Sequence, residues 1–139
     1  MLLAHAMFQL PLIEISSLIR GGPGRMLGEF VATLLLLATI VGTERRHPAA
    51  TPYAVGLVIS AGYWFTSSTS FANPAVTLAR VFSDSFAGIR PLDAPGFMLA
   101  QLLAVVAAMW FLPWLFAAIR PGIAADPNRL EREREPAAN

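Results

Sequence analysis

Residues 70–80 read Ser70-Phe71-Ala72-Asn73-Pro74-Ala75-Val76-Thr77-Leu78-Ala79-Arg80, and this stretch between two apolar segments is too short and too mixed in polarity to cross a bilayer. Asn73 is a favourable N-cap residue and Pro74 suits the first helical position, so the pattern predicts a short helix over residues 73–83. Beginning at membrane depth, such a helix directs its free N–H groups and the positive end of its dipole inward. Irregular backbone at that depth is tolerated only where it is buried in protein or lines a cavity, as in the broken helices of channels and transporters. The sequence therefore predicts a re-entrant half-helix that faces a polar solute.

Composition favours a single-domain membrane protein. The 139 residues are 55% hydrophobic with a mean hydropathy of +0.57, and the apolar residues come in blocks. There is no Cys, which excludes disulfides and thiolate metal sites, and His5 and His47 lack partners at metal-ligand spacing, so we expect no metal or other cofactor. A net charge of +1 without a basic-aromatic stripe indicates no nucleic-acid partner. With no Ser/His/Asp constellation, paired carboxylates or Gly-rich phosphate loop, we expect no enzyme.

The hydropathy pattern predicts an all-α membrane protein with three transmembrane helices and the one re-entrant half-helix. Short segments flank these spans: an apolar stretch at residues 1–8 that is too short to span, a short surface helix at 13–20, and a charged tail at 126–139. Pro113 is expected to kink or end the last span. The three predicted spans cover residues 26–43, 53–69 and 94–119.

Three landmarks occur in a fixed order along the chain. Gly-Glu-Phe-Val-Ala-Thr at residues 28–33 opens an apolar helix, Asn-Pro-Ala-Val-Thr-Leu-Ala follows at 73–79, and Phe-Met-Leu-Ala-Gln-Leu-Leu-Ala lies at 97–104. Together they resemble the aquaporin, or major intrinsic protein, family of water and glycerol channels. The resemblance implies half of an aquaporin-type fold. It also implies that residues 1–8 are the end of a preceding helix and that the charged tail at 126–139 is cytoplasmic, and both features favour the second, C-terminal repeat.

The resemblance also implies roles for individual residues. Asn73, Pro74 and Ala75 match the pore signature, and the Asn73 carboxamide is expected to donate a hydrogen bond to a passing solute. Glu29 matches the family glutamate that accepts bonds from the backbone of the re-entrant loop; the alternative is a glutamate in the headgroup zone. Gln101 is expected to make a hydrogen bond between helices. These assignments predict passive passage of water and small uncharged solutes.

Val76 departs from the family pattern, because most second repeats carry the arginine of the outer selectivity filter at this place. Arg80 lies one turn further along and is not expected to take that place. Ser70 and either Tyr63 or Ala61 are expected to line the same constriction. Valine removes donors and widens the opening, which predicts tolerance of glycerol-like polyols. The sequence around residues 73–91 is similar to a bacterial branch linked with arsenic handling, which adds arsenite as a predicted solute.

The assembly follows from the same resemblance. We expect a multi-pass protein of the plasma membrane, in contact with the lipid bilayer, forming a homo-oligomer that is a tetramer in the family. One half-helix does not make a pore, so the chain is either a truncated copy of a longer channel or a half that pairs with a second half-channel or full-length channel subunits. The position of Met1 inside an apparent helix end favours truncation. The alternative function is a non-conducting membrane subunit that packs against a full-length channel.

Overall fold

The computed structural model describes residues 1–118, and the regular secondary structure in that part of the chain is helical. The expected tail at 126–139 and the last residue of the third span lie outside the described residues. A short 3₁₀ turn, Pro48–Ala50, leads into the third helix. The α-helices are α1 (Leu2–Met7), α2 (Pro23–Arg46), α3 (Thr51–Phe65), α4 (Pro74–Arg80) and α5 (Ala94–Ala118).

Helices α2 and α5 are long and apolar enough to cross a membrane. Their 24 and 25 residues extend about 36 Å at 1.5 Å per residue, against a hydrocarbon core of about 30 Å. In their most apolar windows only 17% and 28% of residues are buried, whereas a core helix of a soluble protein is mostly buried. Large apolar side chains such as Leu99, Met109 and Trp110 are exposed. This supports a lipid-facing surface.

Helix α3 is shorter than the span expected at residues 53–69. It ends at Phe65 because Thr66 leaves the helical region with φ −94° and ψ 142°. The expected helical extension through Thr69 is therefore wrong. At about 22 Å for 15 residues, α3 is shorter than the hydrocarbon core, so two of the three expected spans reach bilayer length.

Other helix boundaries also differ from the expectation. Helix α2 begins at Pro23 rather than at residue 26, because Gly22 takes φ 125° at the N-cap and Pro23 is pre-organised for the first turn. Helix α4 ends at Arg80 rather than at residue 83. Helix α5 continues through Pro113 to Ala118, so the proline does not end it.

The short surface helix expected at residues 13–20 is absent. The Glu14 and Ser16 N–H groups donate to the carbonyl oxygens of Phe82 and Val81, at 3.2 and 2.8 Å. These bonds hold the segment in an extended conformation against the chain that leaves α4. Helix α2 packs against both α3 and α5, and α4 packs on α5. The buried apolar cluster in this part of the chain consists of Phe71, Val81, Ile89, Ala94 and Phe97.

Candidate functional site

Asn73 caps the short helix α4 with its own side chain. The residue is extended (φ −158°, ψ 125°), and its Oδ1 accepts a hydrogen bond from the Ala75 N–H at 2.8 Å. Its carbonyl oxygen accepts from the Thr77 N–H at 2.9 Å and from Thr77 Oγ1 at 3.0 Å. Because the carboxamide oxygen is engaged in the cap, the Nδ2 group is the part of this exposed side chain that remains to donate.

The loop that leads into α4 has an unusual backbone. Thr69, Ser70 and Ala72 have positive φ values of 66°, 51° and 51°. Non-glycine residues in this region cost roughly 1–3 kcal/mol each and persist only where the surroundings hold them. Close approach to the helices is possible because Gly28 and Gly62 lack side chains: a Cβ at either position would lie within 2.8 Å of Ser67 Oγ or 2.6 Å of Ser70 Oγ, respectively.

Glu29 of α2 stabilises this loop by accepting hydrogen bonds from it. Its side chain is fully buried, and its two carboxylate oxygens accept the N–H groups of Phe71 and Ala72, each at 2.8 Å. A buried carboxylate is costly unless donors surround it, and here the two donors are consecutive backbone N–H groups of the strained loop. One side chain therefore satisfies the last N–H groups before the cap residue Asn73.

Gln101 of α5 links Glu29 to helix α4 by hydrogen bonds. Its Nε2 donates to Glu29 Oε2 at 2.7 Å and to Thr77 Oγ1 at 2.9 Å, and both Gln101 and Thr77 are fully buried. Thr77 in turn donates to the carbonyl of Asn73. A continuous hydrogen-bonded chain thus joins α5, α2 and α4, and it fixes the start of α4 against both long helices.

A cavity of about 240 Å³ borders this network. Its wall combines amide groups and apolar side chains, which suits a small molecule with both hydroxyl and hydrocarbon parts. The lining residues from the loop and α4 are Ala72, Asn73 and Pro74, and those from α2 and α5 include Thr33, Leu36, Gln101 and Val105.

A buried arginine, Arg20, also binds the loop before α4. Arg20 donates from Nε to Gly88 O at 2.6 Å, from Nη2 to Phe86 O at 2.6 Å, and from Nη1 to Ser68 O and Thr69 Oγ1 at 3.2 Å each. Burial lowers the pKa of Arg20 below its ordinary value, and the charges of Arg25 and Arg80 lower it further. Arg20 thus ties the loop before α4 to the loop after it.

Asp93 anchors the segment that carries Arg20. Its carboxylate accepts the Arg20 backbone N–H at 2.8 Å and Arg90 Nη2 at 3.0 Å. Burial alone would raise the pKa of Asp93, but the bonds from Arg90, Arg20 and Gly21 and the charge of Arg90 hold it below the ordinary value. The carboxylate is therefore stabilised in its charged form.

The structure brings some of the sequence-predicted residues together and keeps others apart. Glu29 and Gln101 meet at the loop, and Asn73 and Pro74 share one cavity with Gln101, while Ala75 is exposed beside them. Val76, by contrast, packs against the apolar cluster around Phe71.

Ser70 and Tyr63 are the other two residues that the sequence predicts for the filter. Ser70 is buried against Gly62 of α3. Tyr63 is half-buried, with its ring 5.9 Å from Phe86 and 5.8 Å from the guanidinium carbon of Arg80. The contacts described for Tyr63 are thus with Arg80 rather than Val76.

Sequence reasoning missed three supporting residues: Arg20, Thr77 and Arg80. The sequence pattern draws attention to Arg80 only because it lies one turn beyond Val76, and it gives no role to Arg20. The signal available for Thr77 was its position four residues after Asn73, which places it one turn along the same helix face. No comparable signal pointed to Arg20, whose partners lie 48 to 68 residues away.

These features define a class of protein: within residues 1–118 the regular structure is helical, with two helices long and apolar enough to cross a membrane, consistent with part of the major intrinsic protein fold. The chain is 53% identical over 119 residues to the aquaglyceroporin AqpS of Rhizobium meliloti strain 1021. The match covers 86% of this chain and 51% of AqpS, so the chain spans about half the length of the curated relative that it matches. It is an aquaglyceroporin-like chain, which confirms the family resemblance seen in the sequence. No family model and no solved structure matches it.

Proposed function

We propose that the chain forms one half of a membrane channel for the passive passage of water and small uncharged solutes such as glycerol. The observation that carries the proposal is the start of α4, where the Asn73 side chain caps the helix with its oxygen and keeps its Nδ2 donor available. The name of the relative, an aquaglyceroporin, supports the same solute class. The site lies in the plasma membrane in this proposal.

Passage requires that a solute losing its bulk water find replacement hydrogen-bond partners. Asn73 Nδ2 supplies one donor, and the support from Glu29 and Gln101 keeps that donor in place without rearrangement during passage. The positive end of the α4 dipole opposes cations and protons at the same point. Neutral hydroxylic molecules therefore pass more easily than ions.

A second half completes the pore in this proposal. Asn73 and Ala75 are exposed in the part of the chain that the structure describes. If this start of α4 faced lipid, its polar groups would lack hydrogen-bond partners, at a cost of several kcal/mol each. The partner is a second half-channel or a full-length subunit, with further association into a homo-oligomer. The partner lies opposite the exposed start of α4, and the solute path runs between the two.

In this proposal the opening of the pore is shaped by Ser70, Val76 and Tyr63. Valine at position 76 offers no charged donor, and its apolar side chain suits the hydrocarbon face of a polyol. Glycerol therefore competes well with water in the proposed pore. Arsenite, a neutral and polyol-like molecule at pH 7, is proposed as a further solute on the same grounds.

The test is solute flux in vesicles that contain the purified chain, where a second copy of the chain serves as the second half-channel. Wild-type vesicles should swell in a glycerol gradient faster than empty vesicles, as measured by stopped-flow light scattering. Asn73→Asp keeps an oxygen for the cap but replaces the donor with a charge, so it should slow glycerol flux at least several-fold. Gln9→Glu makes the same amide-to-acid change at an exposed residue and should leave flux unchanged.

Two results would contradict the proposal. Equal flux in the wild type and Asn73→Asp would remove Asn73 from the solute path. Wild-type vesicles that swell no faster than empty ones would favour the alternative, a non-conducting subunit that packs against a full-length channel.

A further inference from the structure

Thr33 of α2 carries a buried hydroxyl that does not bond its own helix. Its Oγ1 makes no hydrogen bond within residues 1–118, although the residue is only 4% exposed. Because it is not committed to the carbonyl of Glu29, this hydroxyl is available to a molecule in the cavity that Thr33 lines beside Asn73. Other hydroxyls of these helices donate to the carbonyl four residues earlier, at 2.7 to 3.0 Å; they belong to Thr39, Thr43, Ser60, Thr66 and Thr77.

Gln101 of α5 contributes an unpaired acceptor to the wall of the same cavity. Its Nε2 donates to Glu29 Oε2 and Thr77 Oγ1, and a carboxylate oxygen only accepts, so these bonds fix which end of the amide is the nitrogen. Its Oε1 is buried and accepts no hydrogen bond from the described residues. Buried polar atoms without partners are rare, and two of them line this one cavity. They fit a molecule with a hydroxyl group, which both donates and accepts.

An apolar groove of about 300 Å³ continues from this cavity between α2 and α5. The cavity and the groove share two lining residues, Leu37 and Val105. One lining residue of the groove is charged, Arg45, and its guanidinium carbon lies 5.3 Å from the centroid of the Phe116 ring. The other lining residues are Val41, Ala108, Met109, Leu112 and Pro113.

The register of α2 joins the two spaces into one elongated site. Its lining residues recur every four positions, from Thr33 through Leu37 and Val41 to Arg45, and therefore share one helix face. The distance along the axis from Thr33 to Arg45 is about 18 Å at 1.5 Å per residue. The site thus has a hydroxyl-binding end beside Asn73 and a long apolar end.

The groove is accessible from the surrounding bilayer. Ala108 and Leu112 lie at its base and are only 5% and 4% exposed, whereas Met109 at its edge is 69% exposed. Met109 belongs to the apolar surface of α5 that faces lipid. An amphiphilic molecule dissolved in the membrane can therefore enter the groove from the side.

We propose that this site binds a single-chain amphiphile with a hydroxyl headgroup, such as a long-chain alcohol or a monoacylglycerol, and that binding blocks solute passage. The headgroup hydroxyl bonds to Gln101 Oε1 and Thr33 Oγ1, and the hydrocarbon chain lies in the groove. Because the headgroup occupies the cavity beside Asn73, the amphiphile competes with a passing solute. The block rests on the proposed channel function, whereas the binding does not.

An anionic amphiphile fits the same site less well. A carboxylate at the polar end would place acceptors against Gln101 Oε1, which is itself an acceptor. A carboxylate at Arg45 would place the hydrocarbon end of the molecule against Thr33 and Gln101, whose buried polar atoms would stay unpaired at a cost in free energy.

The test combines photolabelling with flux in vesicles. An octanol that carries a diazirine labels the protein, the labelled residues are identified by mass spectrometry, and glycerol flux is followed by stopped-flow light scattering. Thr33→Val removes the hydroxyl and keeps the side-chain shape, and Val41→Phe fills the groove at a residue outside the solute cavity. Thr39→Val is the matched control on the same helix, because Thr39 lines neither space.

The expected results follow from one hydrogen bond and one apolar chain. The label should fall on groove residues of α2 and α5, and 1-octanol should displace it and slow glycerol flux. Thr33→Val should weaken displacement roughly 2- to 13-fold, the equivalent of a net hydrogen bond. From 1-hexanol to 1-octanol the affinity of the wild type should rise roughly fourfold per methylene. Val41→Phe should lose the label and keep its flux in octanol, and Thr39→Val should match the wild type.

Each contrary outcome overturns a defined part of the proposal. Equal groove labelling in the wild type, Thr33→Val and Val41→Phe overturns the site, and if Thr33→Val fails to fold, wild-type labelling of Val41→Phe does so alone. Octanoate that displaces the label better than octanol, with the advantage lost in Arg45→Met, overturns the hydroxyl assignment. Groove labelling without slowed flux in a conducting wild type overturns the block. A wild type that binds octanol in the groove but passes no glycerol overturns the channel and supports the binding site.

Discussion

Replacing Glu29 with Gln tests how its carboxylate stabilises the loop that precedes α4. The carboxylate accepts the N–H groups of Phe71 and Ala72 and the Nε2 group of Gln101, at 2.7 to 2.8 Å. Glutamine has nearly the same shape but offers a single acceptor oxygen and places an NH₂ group where the second oxygen was. At least one of the two loop N–H groups then faces another donor.

The expected increase in loop opening follows from the number of N–H groups that lose their acceptor, which is at least one. A buried donor left without an acceptor costs about 1–3 kcal/mol, and at about 0.59 kcal/mol for RT this corresponds to roughly 5- to 150-fold in an opening equilibrium. The loop contains three residues with positive φ, which is a costly conformation. Loss of a hydrogen bond that holds this conformation therefore favours opening of the loop directly. The global fold should survive, because α2 still packs against α3 and α5.

Amide hydrogen exchange of the peptide that contains Phe71 and Ala72 is the direct assay. Glu29→Gln should speed exchange in this peptide by the factor given above, while exchange in α5 changes little. Glu44→Gln, the same substitution at an exposed position near the end of α2, is the control and should behave as the wild type. If exchange at Phe71 and Ala72 is the same in Glu29→Gln as in the wild type, the reasoning about this carboxylate is refuted.

Three further predictions concern the network and the filter. Gln101→Leu removes two donated bonds and should lower thermal stability in detergent by about 1–3 kcal/mol; a melting temperature equal to that of the wild type would contradict the role of Gln101. Asp93 has a pKa below its ordinary value, so its contribution to stability is present above about pH 3.9 and is lost as the pH falls from there through the lower folded pKa. Thermal melts should therefore show a loss below that pH that is smaller in Asp93→Asn, and equal losses would count against it. Val76→Arg should lower glycerol flux relative to water flux, and an unchanged ratio in stopped-flow measurements would argue against the filter proposal.

The start of α4 could be predicted because its determinants are local. An Asn-Pro pair gives both a capping oxygen and a preset φ within two residues, and the structure shows the cap where the pair predicts it. The length of α2 and α5 follows in the same way from long apolar runs. The pairing of Glu29 with the loop came from the family resemblance, since nothing in the local pattern connects residues 42 positions apart.

The errors arose where distant contacts decide the conformation. The Ser and Thr run after Phe65 has no strong preference, so the end of α3 depends on Glu29 and Arg20, which hold the following loop. Residues 13–20 have an apolar pattern that permits a helix, but backbone bonds to Val81 and Phe82 keep them extended. In both cases the partner groups lie too far along the chain for a local pattern to reveal them.

The central claim is that the start of α4 borders the path of the solute. Because the chain contains no Cys, Ala75→Cys introduces a single thiol at the exposed residue next to the Asn73 cap. Glycerol flux in vesicles is then measured before and after treatment with a water-soluble mercurial. The account predicts that the mercurial blocks flux in Ala75→Cys and leaves the wild type unaffected; flux that persists in a fully labelled Ala75→Cys protein would contradict it.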